Sequence, residues 1–312
     1  MLSDTITQRR EAAFHDAWAS RTLLEDVLIC ESFEAPTALE NRFILGRMGS
    51  LAGKRLLDIG AGLGESSVYF ALQGARVTTV DISPRMVETA LRLGRRYGVP
   101  LEGIVSSAEN LNVPTNTYDI VYVANTIHHV QDRAALFKQM SRALKPGGMF
   151  FSYDPIAYNP LINVYRRMAT AVRTPDESPL TIADVELARK YFSRVDHREF
   201  WISSLLLFAK YYLVDRIHPN QDRYWKRILR ETPDRLSWWM PLRALDTVMT
   251  RIPLVRWLAW NVVMWGEKAC NDPRAAAPTT RLSASYGLDS EAFPGATATN
   301  PPNKSAQVHR FG

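Results

Sequence analysis

The chain has 312 residues, 46% of them hydrophobic, and a net charge of +6 at neutral pH, enough apolar material for one large or two modest globular domains. Its two cysteines, Cys30 and Cys270, lie far apart and in no C-x-x-C spacing, which argues against a disulfide framework or a zinc cluster and predicts a reducing compartment and no metal site. The charge excess is too small, and no recognised module is attached, for a nucleic-acid-binding protein.

In chain order, residues 5 to 29 read as a helix, with Ala12, Phe14, Ala17 and Trp18 among its apolar positions, followed by a short helix at FILGRM. The opening residues carry charges throughout and lack the apolar stretch of a secretion signal, so a cytoplasmic location is expected. From Lys54 the period changes. RLLDIG reads as a strand, Glu65 to Gln73 as a helix ended by Gly74, and ARVTTVD as a second strand. Ser83 and Pro84 open the next helix, serine as cap and proline in the first turn.

LEGIVSS, YDIVYVAN and GGMFFSYDP are apolar runs of strand length, with a helix from Asp132 to Leu144 between the last two. Ile182 to Phe192 reads as another helix, VDHREFWIS as a sixth strand and AWNVVMWGEK as a seventh. Strands alternating with helices predict an α/β fold, its mostly parallel sheet covered on both faces.

Between the last two strands lies a segment of different character. From Leu205 to Trp257 there are ten Lys or Arg against five acids, and seven of the eight tryptophans fall between Trp201 and Trp265. It reads as mainly helical, broken at Pro219, Pro233, Pro241 and Pro253. WISSLLLFAKYYLV is too short to cross a bilayer. Three roles fit such a segment: a cap over an apolar substrate, a peripheral membrane contact, or a subunit contact. The expected organisation is an N-terminal helical lid (1–50), a core (51–202 and 258–272), the basic aromatic insertion (203–257) and a disordered tail from Pro273 to Gly312, poor in apolar residues.

Gly60, Gly62 and Gly64 form G-x-G-x-G between a strand and a helix, a turn that lets a ligand approach the main chain and the helix N–H groups. A dinucleotide-binding turn would place its third glycine one residue later, where this chain has Glu65. Glu65 and Asp58 make a poor setting for pyrophosphate and a good one for a cationic ligand, while Asp81, ending the second strand, suits ribose hydroxyls. S-adenosylmethionine satisfies both halves of that pattern.

D-I-G-A-G-L-G, D-I-S-P-R-M, S-A-E-N-L, Y-D-I-V and A-L-K-P-G-G, in this order over roughly Leu56 to Pro155, resemble the class I methyltransferase family. The resemblance implies a Rossmann-like seven-stranded sheet of order 3-2-1-4-5-7-6 with the seventh strand antiparallel, helices on both faces, and the helical insertion between strands six and seven. It places Asp58, Gly60, Gly62 and Gly64 around the methionine part of S-adenosylmethionine, Asp81 and Ile82 at the ribose, Ser107, Ala108 and Glu109 at the adenine, and Asn125 nearest the transferable methyl. The family often has aspartate at the position of Ser107, so a hydroxyl or Glu109 is expected to replace that contact.

His128 and His129, just beyond Asn125, are candidate bases for an acidic acceptor. The expected activity is methyl transfer to a lipophilic or natural-product small molecule at oxygen, carbon or nitrogen; the rivals are a non-catalytic scaffold on the same fold and a nicotinamide oxidoreductase. A cytoplasmic protein, peripheral on a membrane if the insertion meets lipid, completes the expectation.

Overall fold

The computed structural model describes residues 5–270; the expected tail, Pro273 to Gly312, lies outside them. Helix α1 (Ile6–Arg21) opens on a reciprocal cap in which Thr5 and Gln8 bond each other's main chain. It stops eight residues short of the expected end. Thr22 turns extended, and its hydroxyl donates to the Trp18 carbonyl in competition with the helix ladder. Two short helices follow, α2 (Glu31–Glu34) and α3 (Leu39–Met48).

The core then alternates: β1 (Arg55–Ile59), α4 (Glu65–Leu72), β2 (Arg76–Asp81), α5 (Pro84–Arg96), β3 (Leu101–Val105), β4 (Tyr118–Ala124), α6 (Arg133–Ala143) and β5 (Leu144–Pro155). Ser83 caps α5 by accepting from the Met86 N–H, with Pro84 in the first turn, as its sequence predicts. Beyond β5 come α7 (Pro160–Met168), α8 (Ile182–Ala188), β6 (Arg194–Phe200), α9 (Leu206–Leu213), α10 (Tyr224–Arg227), α11 (Met240–Met249) and β7 (Asn261–Glu267). Helix α7 had no counterpart in the sequence reading, and Pro241 sits in the first turn of α11 instead of breaking a helix.

The seven strands form one sheet in the order β3-β2-β1-β4-β5-β7-β6; β7 runs antiparallel to both neighbours and the remaining pairs are parallel. Successive side chains alternate between two cores, because strand residues point to opposite faces. Leu57, Val121, Phe150 and Met264 pack with Phe137 and Met140 of α6 and Val185 of α8. Leu56, Tyr122, Phe151 and Trp265 pack with Phe33, Ile44, Val68 and Met86 on the other side. This two-sided burial explains the continuous apolar runs in these strands.

A third core lies apart. Trp201, Phe208, Tyr211, Tyr224 and Trp239 cluster with Tyr165 of α7 and with Trp260 at the entry to β7. Trp201 and Trp239 pack at a 43° tilt with centroids 5.3 Å apart, and both are fully buried. Truncating either to alanine would cost about 3–5 kcal/mol, typical of a buried tryptophan. Among the described residues no helix is long and apolar enough to cross a membrane.

Candidate active site

A cavity of about 230 Å³ opens beyond the carboxyl ends of β1, β2, β4 and β5, where open α/β sheets bind ligands. Its floor is the turn after β1. At Gly64, φ is +91°, and a side-chain Cβ would lie 2.5 Å from the Cβ and 2.7 Å from the Cα of Ala90, so only glycine lets α4 start this close to α5. At Gly60, φ is +69° and a Cβ would overlap Thr126 at 2.1 Å. Gly62 faces open space, and its N–H donates to Asp81 Oδ2 at 2.9 Å.

Asp81 is therefore fixed before any ligand arrives, its other oxygen accepting from the Ser83 N–H at 2.9 Å. Burial pushes its carboxyl above the ordinary range despite these bonds. Asp58, at the end of β1, accepts from Ser66 Oγ at 2.7 Å and Ser67 Oγ at 2.6 Å. Burial, and behind it repulsion from Glu65 and Asp81, pushes its carboxyl up to about 6, against the pull of the two hydroxyls. Glu65 lies 3.3 Å from Lys226 Nζ of α10, while its other oxygen is buried without a hydrogen-bond partner among the described residues. Three carboxylates thus crowd one cleft.

Ile82, Ser107, Ala108, Glu109 and Asn125 also line the cavity. Glu109 is already engaged: Oε1 accepts from the N–H groups of Gln131 at 3.0 Å and Asp132 at 2.8 Å, and Oε2 from Gln8 of α1. Gln8 also donates to Ser107 Oγ at 3.1 Å. Ser107 Oγ accepts from the Glu109 N–H at 3.2 Å as well and donates to Glu109 Oε2 at 3.5 Å, so the two sequence candidates for the adenine contact are bonded to each other. Asn125 takes a left-handed conformation, φ 50°, and its N–H donates to the Tyr153 carbonyl at 2.8 Å.

The structure separates the paired histidines, which occupy one tight turn after β4. His128 is not among the cavity-lining residues. Its Nδ1 lies 2.7 Å from Asp154 Oδ1, which also accepts the His128 main-chain N–H. Burial drives the imidazole well below its usual value and lifts the Asp154 carboxyl. His129 does line the cavity, with Nδ1 3.1 Å from Glu11 Oε2.

The residues of α1 that face the cavity include two that the sequence candidates did not, Gln8 and Glu11. Gln8, Glu11, His15 and Trp18 form that face at helical spacing. Burial alone would raise the Glu11 carboxyl, but His129 and His15 beside it hold it well below the carboxylate range. Asp16 docks the helix by accepting from Ser83 Oγ at 2.5 Å and the Arg85 N–H at 3.1 Å, at the positive end of α5.

Away from the glycine turn the wall becomes apolar. Phe33, Trp225, Ile228, Leu229 and Trp260 line it, with a few polar groups between them. Glu40 accepts from Asn261 Nδ2 at 2.6 Å, and burial raises its carboxyl; the Tyr122 hydroxyl donates to Asn41 Oδ1 at 2.6 Å. An apolar wall with a few placed polar groups is the usual make-up of a small-molecule site.

Residues 57–152 match a family described as a methyltransferase domain. Over 148 residues the chain is 32% identical to a ubiquinone biosynthesis O-methyltransferase of Xanthomonas oryzae pv. oryzae, covering 47% of this chain and 55% of that protein. Over 105 residues it is 38% identical to a phosphoethanolamine N-methyltransferase of Triticum aestivum, covering 33% of this chain and 20% of that protein. The match therefore spans about half the length of the first of these relatives and much less of the second. Among solved structures, phosphoethanolamine N-methyltransferase 2 of Haemonchus contortus in complex with S-adenosyl-L-methionine superposes with a TM-score of 0.53 at 20% identity, over 82% of this chain and 60% of that one, which is a likeness of fold.

Proposed function

The chain carries a class I S-adenosylmethionine-dependent methyltransferase domain, and on that premise we propose that it methylates a small molecule with a substantial apolar part. The observation that carries this reading is one cavity lined both by the glycine turn with Asp81 and by Trp225, Leu229 and Trp260.

The cofactor end fits the group chemically. Asp58, Glu65 and Asp81 repel one another in a buried cleft, so a ligand bearing a sulfonium and an ammonium relieves the site, whereas a pyrophosphate would add to its charge. Asp81 and Ile82 would hold the ribose, Ser107 and Ala108 with Glu109 behind them the adenine, and Asp58 with Gly60, Gly62 and Gly64 the amino-acid end. When bound, S-adenosylmethionine supplies a methyl group already activated on positive sulfur. The protein must then align a nucleophile and exclude water.

Helix α1 does the excluding, and Asn125 and Tyr153 border the reacting end. Of the two histidines, His129 is the one placed to relieve an oxygen, nitrogen or carbon acceptor of its proton, with Glu11 beside it to balance charge. His128, bound to Asp154, positions the turn that carries His129.

The insertion adds a second element. Asp246 on α11 accepts from the main-chain N–H groups of Ile202, Ser203 and Ser204 and from both serine hydroxyls. The helix is thus anchored by a carboxylate, while Leu245 and Val248, followed by Ile252 and Leu254, stay exposed, Leu254 to 86%. Arg216, Arg230, Arg235 and Arg251 of the same segment are exposed and make no ion pair among the described residues. Outward apolar side chains among free cations suit contact with an anionic lipid surface, from which an apolar acceptor would reach the cavity.

Calorimetry with S-adenosylmethionine, S-adenosylhomocysteine and NAD tests the first part. Both sulfur ligands should bind, and Asp81→Ala should weaken them by about 1.5–3 kcal/mol, the loss of hydrogen bonds to a charged group. NAD binding alone, or an unchanged affinity in the variant, overturns the cofactor assignment. Transfer of labelled methyl to a lipid-extract panel separates an enzyme from a scaffold.

A further inference from the structure

Glu11 is the least satisfied charged group in the site. It is 5% exposed, and neither of its carboxylate oxygens accepts a hydrogen bond among the described residues. Two imidazoles nevertheless approach it closely. Oε2 lies 3.1 Å from His129 Nδ1 and 3.5 Å from His15 Nε2, in both cases outside hydrogen-bonding alignment. His15 Nδ1 is also buried without a partner.

One ligand atom from each of the three residues lies within 4.8 Å of the others. Metal bonds of about 2.0–2.2 Å place neighbouring ligand atoms roughly 3.0–3.5 Å apart, the range of the two contacts above. We propose that Glu11, His15 and His129 bind one divalent transition-metal cation, of the zinc class, with its open coordination position toward the acceptor end of the cavity. Two imidazoles and a carboxylate are a donor set for zinc, iron, cobalt or nickel and a poor one for magnesium or calcium. All three residues line the cavity, so a ligand there can complete the coordination.

The neighbouring group of His128, His129 and Glu177 is the weaker candidate because its members are committed elsewhere. His128 Nδ1 is held by Asp154, and Glu177 is paired with Arg173 and accepts from the Thr174 N–H at 3.1 Å. The cysteine spacing carries no trace of the proposed site, since the ligands come from α1 and from a turn more than a hundred residues later. The inference rests on the proposed function in one respect: His129 would serve as a ligand and would not take the acceptor's proton, and the cation, when bound, would lower the pKa of an acceptor hydroxyl on its open position so that the proton leaves to water before methyl transfer.

The test uses the full chain, stripped with a chelator and titrated with zinc(II) against a chromogenic competitor, and with cobalt(II) followed by its visible absorption. One equivalent should bind and raise the melting temperature. Glu11→Gln and His15→Ala should each lower affinity roughly a hundredfold or more while still melting cooperatively without metal, and Glu177→Gln, in the neighbouring group only, should keep the binding. Absence of stoichiometric binding, or equal affinity in wild type and Glu11→Gln, overturns the site. S-adenosylhomocysteine calorimetry on the stripped protein keeps the two proposals apart: cofactor binding without metal binding removes only the cation, and metal binding without cofactor binding removes the methyltransferase reading.

Discussion

The sheet half and the insertion are built on opposite logics. In the sheet half every central strand is buried on both faces, and the acids at the strand ends are held by bonds to neighbouring turns and helices, as Asp81 is by Gly62 and Ser83 and Asp58 by Ser66 and Ser67. In the insertion the aromatic core is small, and α11 is docked through Asp246 and Leu242 while Leu245 and Val248 face outward. The first arrangement fixes atoms to within a fraction of an ångström and tolerates little change. The second secures a platform and leaves its surface for another molecule to cover.

The sharpest way to break that contrast is to add a side chain where the sheet half has no room. Gly64→Val would place a Cβ against the Ala90 backbone in a left-handed conformation, costing about 3 kcal/mol from overpacking and strain together. Circular dichroism melts should show a loss of about 5 °C for a chain of this size. A variant melting like wild type would mean that the close approach of α4 and α5 does not define the turn.

A smaller effect separates the charges in the cofactor end from those on the insertion surface. The folded value for Asp58, about 6, lies above its unfolded value of 3.8, so in the folded protein it holds a proton that the unfolded chain releases. Its contribution to stability is present below 3.8 and is lost as pH rises through about 6. Binding a cationic ligand has the opposite sign, because it favours the ionised carboxylate. Affinity for S-adenosylmethionine should fall by up to about tenfold per pH unit below about pH 6, with proton release on binding. Asp58→Asn should flatten the profile. A flat wild-type profile would place the ligand's charge away from Asp58.

The same contrast governs what could be read in advance. Strand period, glycine spacing and the terminal Asp81 are local signals, and the sheet with its order and cofactor turn follows from them and from the family likeness. Helix α7 was missed although Asn159 and Pro160, a capping residue and a first-turn proline, announce it. Pro241 was read as a break when it opens α11, because proline at a helix start and proline between helices look alike in one sequence. Consecutive histidines could not be assigned to roles, since a tight turn sends neighbours in different directions: His128 to Asp154, His129 to Glu11. Glu11 carried only its i,i+4 spacing to His15, and Asp246 no local signal. His129 and the Ile202–Ser204 turn lie tens of residues away or more, and only the tertiary fold brings them to Glu11 and Asp246.

The smallest effect tests the platform itself. Leu245 and Val248 are exposed on α11 and belong to none of the three cores, so replacing both with serine should change folding stability by no more than about 0.5 kcal/mol. If this face meets lipid, the same change should weaken sedimentation with anionic vesicles by about 1.5 kcal/mol, roughly tenfold, from the apolar area no longer buried. Binding of the wild type should also fall as salt screens the exposed arginines, while vesicles of zwitterionic lipid should show little of that dependence. Equal sedimentation of wild type and double variant would move the lipid contact off α11. A dimer that dissociates in the double variant, with no vesicle binding in either protein, would assign the outward face to a second copy of the chain.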